Sequence, residues 1–118
     1  MELTAVFVYG TLLPGEHRWP LLEPFAVGSR RAAVAGRLFD TGRGYPCALF
    51  SGSGSIPGAV VALDPARVEE ALLLLDEVEG VTFGLYERVV TTTDDGEAVW
   101  SYAWAGTMDE LTPIVRWV

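Results

Sequence analysis

One stretch alone in this chain repeats its apolar residues at the spacing of a helix, DPARVEEALLLLDEVEG over residues 64–80. Asp64 is a good N-cap, and Pro65 sits at the first helical position, where its missing N–H costs nothing. Val68, Ala71, Leu72 and Leu75 follow at the three- and four-residue spacing of one buried face, and Gly80 stops the run. The other apolar residues come in short runs cut by glycine and proline: TAVFVY (4–9), AAVAGRLF (32–39), CALF (47–50), AVVAL (59–63), YERVVTTT (86–93) and AVWSYAWA (98–105). Each of these reads as a strand. Asp94-Asp95-Gly96 is a hairpin turn signal between the last two, and Gly36 marks a bulge or close approach inside its strand. Residues 13–25 hold three prolines and read as a loop with one helical turn over Trp19 to Leu22. TGRGYP (41–46) is a turn, and SGSGSIPG (51–58) a flexible connection. The expectation is an α+β fold: one domain over 1–118, with five to six strands in a strongly curved, barrel-like sheet and one main helix.

Composition narrows the chemistry. Half of the 118 residues are hydrophobic and a fifth are charged, as in a soluble globular protein with a single core. No apolar run is long enough to span a bilayer, and the N-terminus lacks the basic and long apolar regions of a signal peptide. Cys47 is the one cysteine, so no intramolecular disulfide forms, and the expected compartment is the cytoplasm. The net charge of -8 repels phosphate backbones, which argues against a nucleic-acid partner. Most of that charge lies in residues 60–118, with three arginines against twelve acids. Lysine is absent, which excludes Schiff-base chemistry and a P-loop lysine. One histidine and one cysteine cannot build a usual structural zinc site. Asparagine and glutamine are absent too, so any oxyanion donor must come from the backbone or a hydroxyl.

Several stretches have plain explanations. GSGSIPG (52–58) lacks the spacing of a phosphate loop, and Pro57 removes a donor it would need. His17, in a proline-rich loop beside Glu16 and Arg18, reads as a surface histidine, and Cys47 as a small packed side chain. Two stretches resist. In VFVYGTLLPG, a tight turn explains Gly10 but not the tyrosine and hydroxyl around it. In Asp76-Glu77-Val78-Glu79-Gly80, carboxylates sit at the negative end of the helix dipole, which disfavours their charged forms. Glu79 has two readings: a solvated helix end, or a carboxyl turned inward under Val81–Phe83 with its pKa raised towards neutrality, as a general acid/base needs. Tyr86 and Arg88 share one strand face with Glu87 opposite, either as surface residues or as supports for a ligand.

YGTL at 9–12 and LDEVEGVTFGLYER at 75–88 together resemble the γ-glutamylcyclotransferase-like superfamily, which includes γ-glutamylamine cyclotransferases and AIG2-like proteins. The resemblance runs through GRLFDTGRGYP, GAVVAL, the LD-x-x-EG motif and the LYERV strand. It implies a small mixed barrel with the helix packed outside. Glu79, the glutamate of LD-x-x-EG, is then the catalytic acid/base, and Tyr86 matches the tyrosine that follows it. Tyr9, Gly10, Thr11 and Leu12 match the loop whose backbone lines the pocket, with Gly10 allowing close approach of a ligand and the N–H groups binding a carboxylate or oxyanion. The implied substrate is a small γ-glutamyl amide, cyclised to 5-oxoproline and a free amine by attack of its own α-amine. No metal or cofactor is implied, and no membrane or nucleic acid; the oligomeric state stays open. The chain lacks the extra segments of glutathione-specific relatives, so glutathione is not the first expectation. Arg18, Arg30, Arg37 and Arg43 have two readings, recognition of a substrate carboxylate or, the one expected of each, a place at the surface. Two other classes stand beside the enzyme: a non-catalytic binding protein using the same pocket, and an interaction protein with Trp100, Trp104, Trp117 and LTPIVRWV as its contact surface.

Overall fold

The computed structural model describes residues 3–117. Its elements are β1 (Ala5–Val8), α1 (Trp19–Leu22), β2 (Ala26–Ala35), β3 (Arg37–Asp40), β4 (Pro46–Leu49), β5 (Ser55–Leu63), α2 (Val68–Val78), β6 (Tyr86–Thr92), β7 (Ala98–Trp104) and β8 (Thr112–Ile114). The α+β class holds. Five strands form the main sheet in the order β2-β5-β1-β7-β6, and β4-β3-β8 form a second one. β1 runs antiparallel to β5 and parallel to β7, so the main sheet is mixed; its curl does not close into a barrel.

β1 lies at the centre because all four of its residues are apolar and all four are buried. Alternation along it divides the core in two. Val6 and Val8 face the larger cluster with Leu22, Val61, Leu63 and the buried stripe of α2, whereas Ala5, Phe7 and Tyr9 face Val34, Leu38, Ala48 and Ile56. α2 buries Val68, Ala71, Leu72 and Leu75, as its spacing requires. Asp64 caps the turn before it by accepting the Ala66 N–H at 2.9 Å, and Pro65–Arg67 form a 3-10 turn that leads into the helix.

Three expectations change. The described residues form eight strands where five to six were expected. The single strand expected over 32–39 is two strands in different sheets, divided at Gly36. There φ is 153°, and a Cβ would lie 2.4 Å from the Leu49 carbonyl oxygen, so the chain can cross between sheets only at a glycine. The flexible connection expected over 51–58 stops at Gly54. From Ser55 the chain is already β5, pairing with β2 through Ala35↔Ser55 to Ala32↔Gly58. Among the described residues no helix is long and apolar enough to cross a membrane.

Candidate active site

Beyond Val8 the chain folds back on itself. The Leu13 N–H donates to the Gly10 carbonyl at 3.0 Å, and the Arg18 N–H donates to the Thr11 carbonyl at 2.9 Å. The packing of Pro46 by itself calls for a glycine at position 10: a Cβ would meet Pro46 Cγ at 2.5 Å. Gly10, Thr11 and Leu12 are all buried, yet among the described residues no backbone carbonyl accepts their N–H groups. Three donors in succession on one loop are an arrangement suited to an oxygen acceptor.

Glu79 ends α2. Its N–H closes on the Leu75 carbonyl at 2.9 Å, and Gly80 takes the left-handed conformation (φ 66°, ψ 34°) that turns the chain away. The cover expected from Val81–Phe83 is partial: in that 3-10 turn Val81 packs half-buried against the core, whereas Phe83 is 91 % exposed. Glu79 instead lines a cleft with Tyr9, Gly10, Thr11 and Leu12, facing Arg18, Tyr45, Tyr86 and Tyr102. The cleft encloses about 380 Å³ with its open mouth included, on the scale of a small-molecule site. Burial there pushes the Glu79 carboxyl up to about 7, and the Arg18 cation pulls it partly back. No hydrogen bond contributes to that balance, so the carboxyl has not been claimed by the fold.

The walls are phenols with their protons committed. Tyr9 donates to the Tyr102 carbonyl at 2.6 Å, Tyr86 to the Pro46 carbonyl at 2.5 Å, and Tyr102 to Asp76 Oδ1 at 2.7 Å. Burial holds all three well above the ordinary tyrosine pKa, and the Glu79 charge raises each further. They are neutral walls with lone pairs to spare. Tyr86 also sets its ring edge-on to Trp104 at 5.3 Å. Asp76, one turn before Glu79, holds Arg88 at 2.9 Å, although that Nε–H is not aimed at the oxygen. The Arg88 guanidinium lies 4.4 Å over the Trp100 ring. Tyr86 and Arg88 thus share a face, the first at the cleft and the second behind it.

The structure therefore brings Tyr9, Gly10, Thr11, Leu12, Glu79 and Tyr86 to one cleft. It leaves His17 exposed and Cys47 buried, its thiol pushed up to about 12 by desolvation. Arg30 pairs with Asp95 and Glu97, and Arg37 stacks near Phe39. Arg18 is the correction: expected at the surface, it is half-buried in the cleft wall. Tyr45, Pro46 and Tyr102 were also missed. The signal for Tyr45 and Pro46 was present in GRGYP, but nothing local marked Arg18. Among the described residues no cluster of three His, Cys, Asp or Glu side chains is placed to hold a metal ion.

The family model described as gamma-glutamyl cyclotransferase, AIG2-like, matches residues 6–117. The chain belongs to this family. It is 33% identical over 108 residues to the gamma-L-glutamyl-butirosin B gamma-glutamyl cyclotransferase of Niallia circulans, a match covering 84% of this chain and 65% of that protein's length. An AIG2-like protein from Mus musculus has the same fold, with a TM-score of 0.79 over 100% of this chain and 90% of that one at 20% identity. A protein from Arabidopsis thaliana, 28% identical, matches with a TM-score of 0.68 over 92% of this chain and 66% of that one. In this AIG2-like protein the YGTL loop and the LD-x-x-EG helix end, which carry the sequence resemblance, are the two segments that meet across the cleft.

Proposed function

We propose that this member of the AIG2-like family is a γ-glutamylcyclotransferase that releases 5-oxoproline and a free amine from a small γ-glutamyl amide. The observation that carries the reading is the pairing of an unclaimed Glu79 carboxyl, titrating at about 7, with the unpartnered N–H groups of Gly10 to Leu12. A base poised near neutral pH is what proton transfer from an ammonium requires.

The nucleophile is the substrate's own α-nitrogen, so neither Cys47 nor any serine is needed. The cleft holds the glutamyl chain folded, with its α-nitrogen against its γ-carbonyl, which supplies proximity. The Glu79 carboxylate takes one proton from the α-ammonium, and the freed amine attacks the γ-carbonyl carbon. The carbonyl oxygen becomes an oxyanion held by the N–H groups of Gly10, Thr11 and Leu12. Glu79 then gives its proton to the amide nitrogen as the C–N bond breaks and the lactam carbonyl re-forms. The second proton shed by the attacking nitrogen passes to solvent, and the released amine takes one up. Tyr9 and Tyr86 shape the cleft and keep water from the carboxyl.

The name of the Niallia circulans relative places its γ-glutamyl group on butirosin B. For this chain we propose a free amine of that broad class, a polyamine, an amino acid or a lysine side chain. A cytoplasmic setting goes with the single buried thiol. The test is 5-oxoproline release from a panel of γ-glutamyl amines, dipeptides and glutathione, with Glu79→Gln alongside. Release from one class, reduced about a hundredfold or more in the variant, is expected. Full activity in Glu79→Gln would remove the assignment, and silence across the panel with 5-oxoproline still bound would favour a non-catalytic binding protein.

A further inference from the structure

Two of the residues lining the cleft carry charge at neutral pH, Glu79 and Arg18. The carboxyl has its use in the reaction, but the cation has none so far. Arg18 is half-buried, and its own N–H is tied to the Thr11 carbonyl, so the arginine is fixed to the loop that carries the oxyanion donors. Among the described residues its guanidinium makes no ion pair within 4 Å, Glu79 included, although the chain has twice as many acids as arginines. The other titratable side chains facing Glu79 are the phenols of Tyr9 just after β1, Tyr86 on β6, Tyr102 on β7 and Tyr45 before β4. A cation kept part-way out of water without a counter-ion is costly unless a ligand supplies one.

The head of a γ-glutamyl group bears an ammonium and a carboxylate on the same carbon. One carboxylate and one guanidinium, separated within one cleft, match that head charge for charge. We propose that Arg18 determines specificity by taking the α-carboxylate of the γ-glutamyl group in a charge-assisted, two-pronged hydrogen bond. This deepens the cyclotransferase reading and rests on it for the identity of the acyl group. It leaves the N–H groups of Gly10 to Leu12 for the γ-carbonyl oxygen, and it orients the α-nitrogen towards Glu79. It also couples recognition to chemistry. A bound carboxylate neutralises the cation that restrains Glu79, so Glu79 becomes a stronger base only when the right acyl head is in place.

The experiment pairs γ-L-glutamyl-p-nitroanilide with its α-carboxamide analogue, and 5-oxoproline with 5-oxoprolinamide. Turnover of the anilides is measured at the alkaline plateau, and binding of the two lactams by calorimetry. Wild type should prefer the carboxylate member of each pair by about 10- to 100-fold. Arg18→Ala should erase that preference, with binding of 5-oxoproline lost and binding of 5-oxoprolinamide kept, and Arg18→Lys should restore part of it. The carboxamide readings also report that the variant is folded. Equal losses on both members, or a wild type without preference, would overturn the assignment. If wild type turns over neither anilide yet still prefers 5-oxoproline to its amide, cyclisation fails while the role of Arg18 stands.

Discussion

Glu79 sits where three physical effects meet. The end of α2 and the loss of water both disfavour its charge, while Arg18 favours it. The outcome, about 7, gives the pH dependence a sign. Catalysis by the carboxylate form should fall with unit slope below about pH 7 in a profile of kcat/KM. Removing the restraining cation in Arg18→Ala should move that limb to higher pH; a limb that stays put would show that Arg18 does not act on Glu79. Stability runs the opposite way. A folded-state pKa above the unfolded value near 4.5 means that the folded chain holds the extra proton, so stability is full below the unfolded pKa and declines as pH rises through about 7. Glu79→Gln escapes this loss. It should melt higher than wild type at about pH 8, by at most about 3 kcal/mol, with the gain vanishing near pH 4. An active-site residue whose removal stabilises the fold is the signature of a carboxyl held for function.

The last turn of α2 is set by Asp76, which the Tyr102 hydroxyl and Arg88 hold from the neighbouring strands. Asp76 lies three residues before Glu79, so freeing it loosens the turn that aims the carboxyl. Tyr102→Phe should cost about 1–2 kcal/mol in thermal melts and lower kcat more than it changes KM. Equal kcat in a normally folded variant would show that the strand contact does not position Glu79. This helix was legible in the sequence because every signal for it is local: Asp64 as cap, Pro65 at the start, four apolar residues on one stripe, Gly80 at the stop. The Tyr9–Leu12 loop stood out because an apolar run ended in polar residues that a turn alone does not need, whereas Tyr86, first residue of its strand, had two readings and was singled out by the family resemblance alone. The break at Gly36 was not legible. A glycine inside a strand reads as a bulge, and what makes it a crossing is the carbonyl of Leu49, thirteen residues away. Val27–Arg31 were hidden for a related reason: exposed on a sheet edge, they carry no alternation to read. Arg18 enters the cleft only because its N–H closes on Thr11, a contact its neighbours in the loop do not announce. Gly36→Ala, forced against that carbonyl, should destabilise the chain by about 3 kcal/mol or more.

The cleft belongs to neither sheet alone. Its floor is the end of β1, its acid comes from α2, two of its phenols come from β6 and β7, and the Pro46 wall comes from the second sheet. The hydrogen bond from Tyr86 to the Pro46 carbonyl and the contact of Gly10 with the Pro46 ring join these parts. Such a site depends on how firmly the second sheet is held, and β8 is part of that hold. It pairs with β3 through Leu38↔Ile114, Phe39↔Pro113 and Asp40↔Thr112, while β4 pairs on the other side of β3. This strand was invisible in LTPIVRWV, because three residues with a central proline give no period, and the proline suits an edge. A chain ending at Glu110 loses the pairing, exposes β3 as an unprotected edge and uncovers Leu38, which Ile114 otherwise faces. Size-exclusion chromatography should then show association that the full chain lacks at the same concentration. The melting temperature should drop, and binding of 5-oxoproline should weaken as Pro46 loses its support. If the shortened chain elutes, melts and binds as the full one does, the second sheet is held by β4 and the Pro46 contacts alone, and β8 is an edge the site does not use.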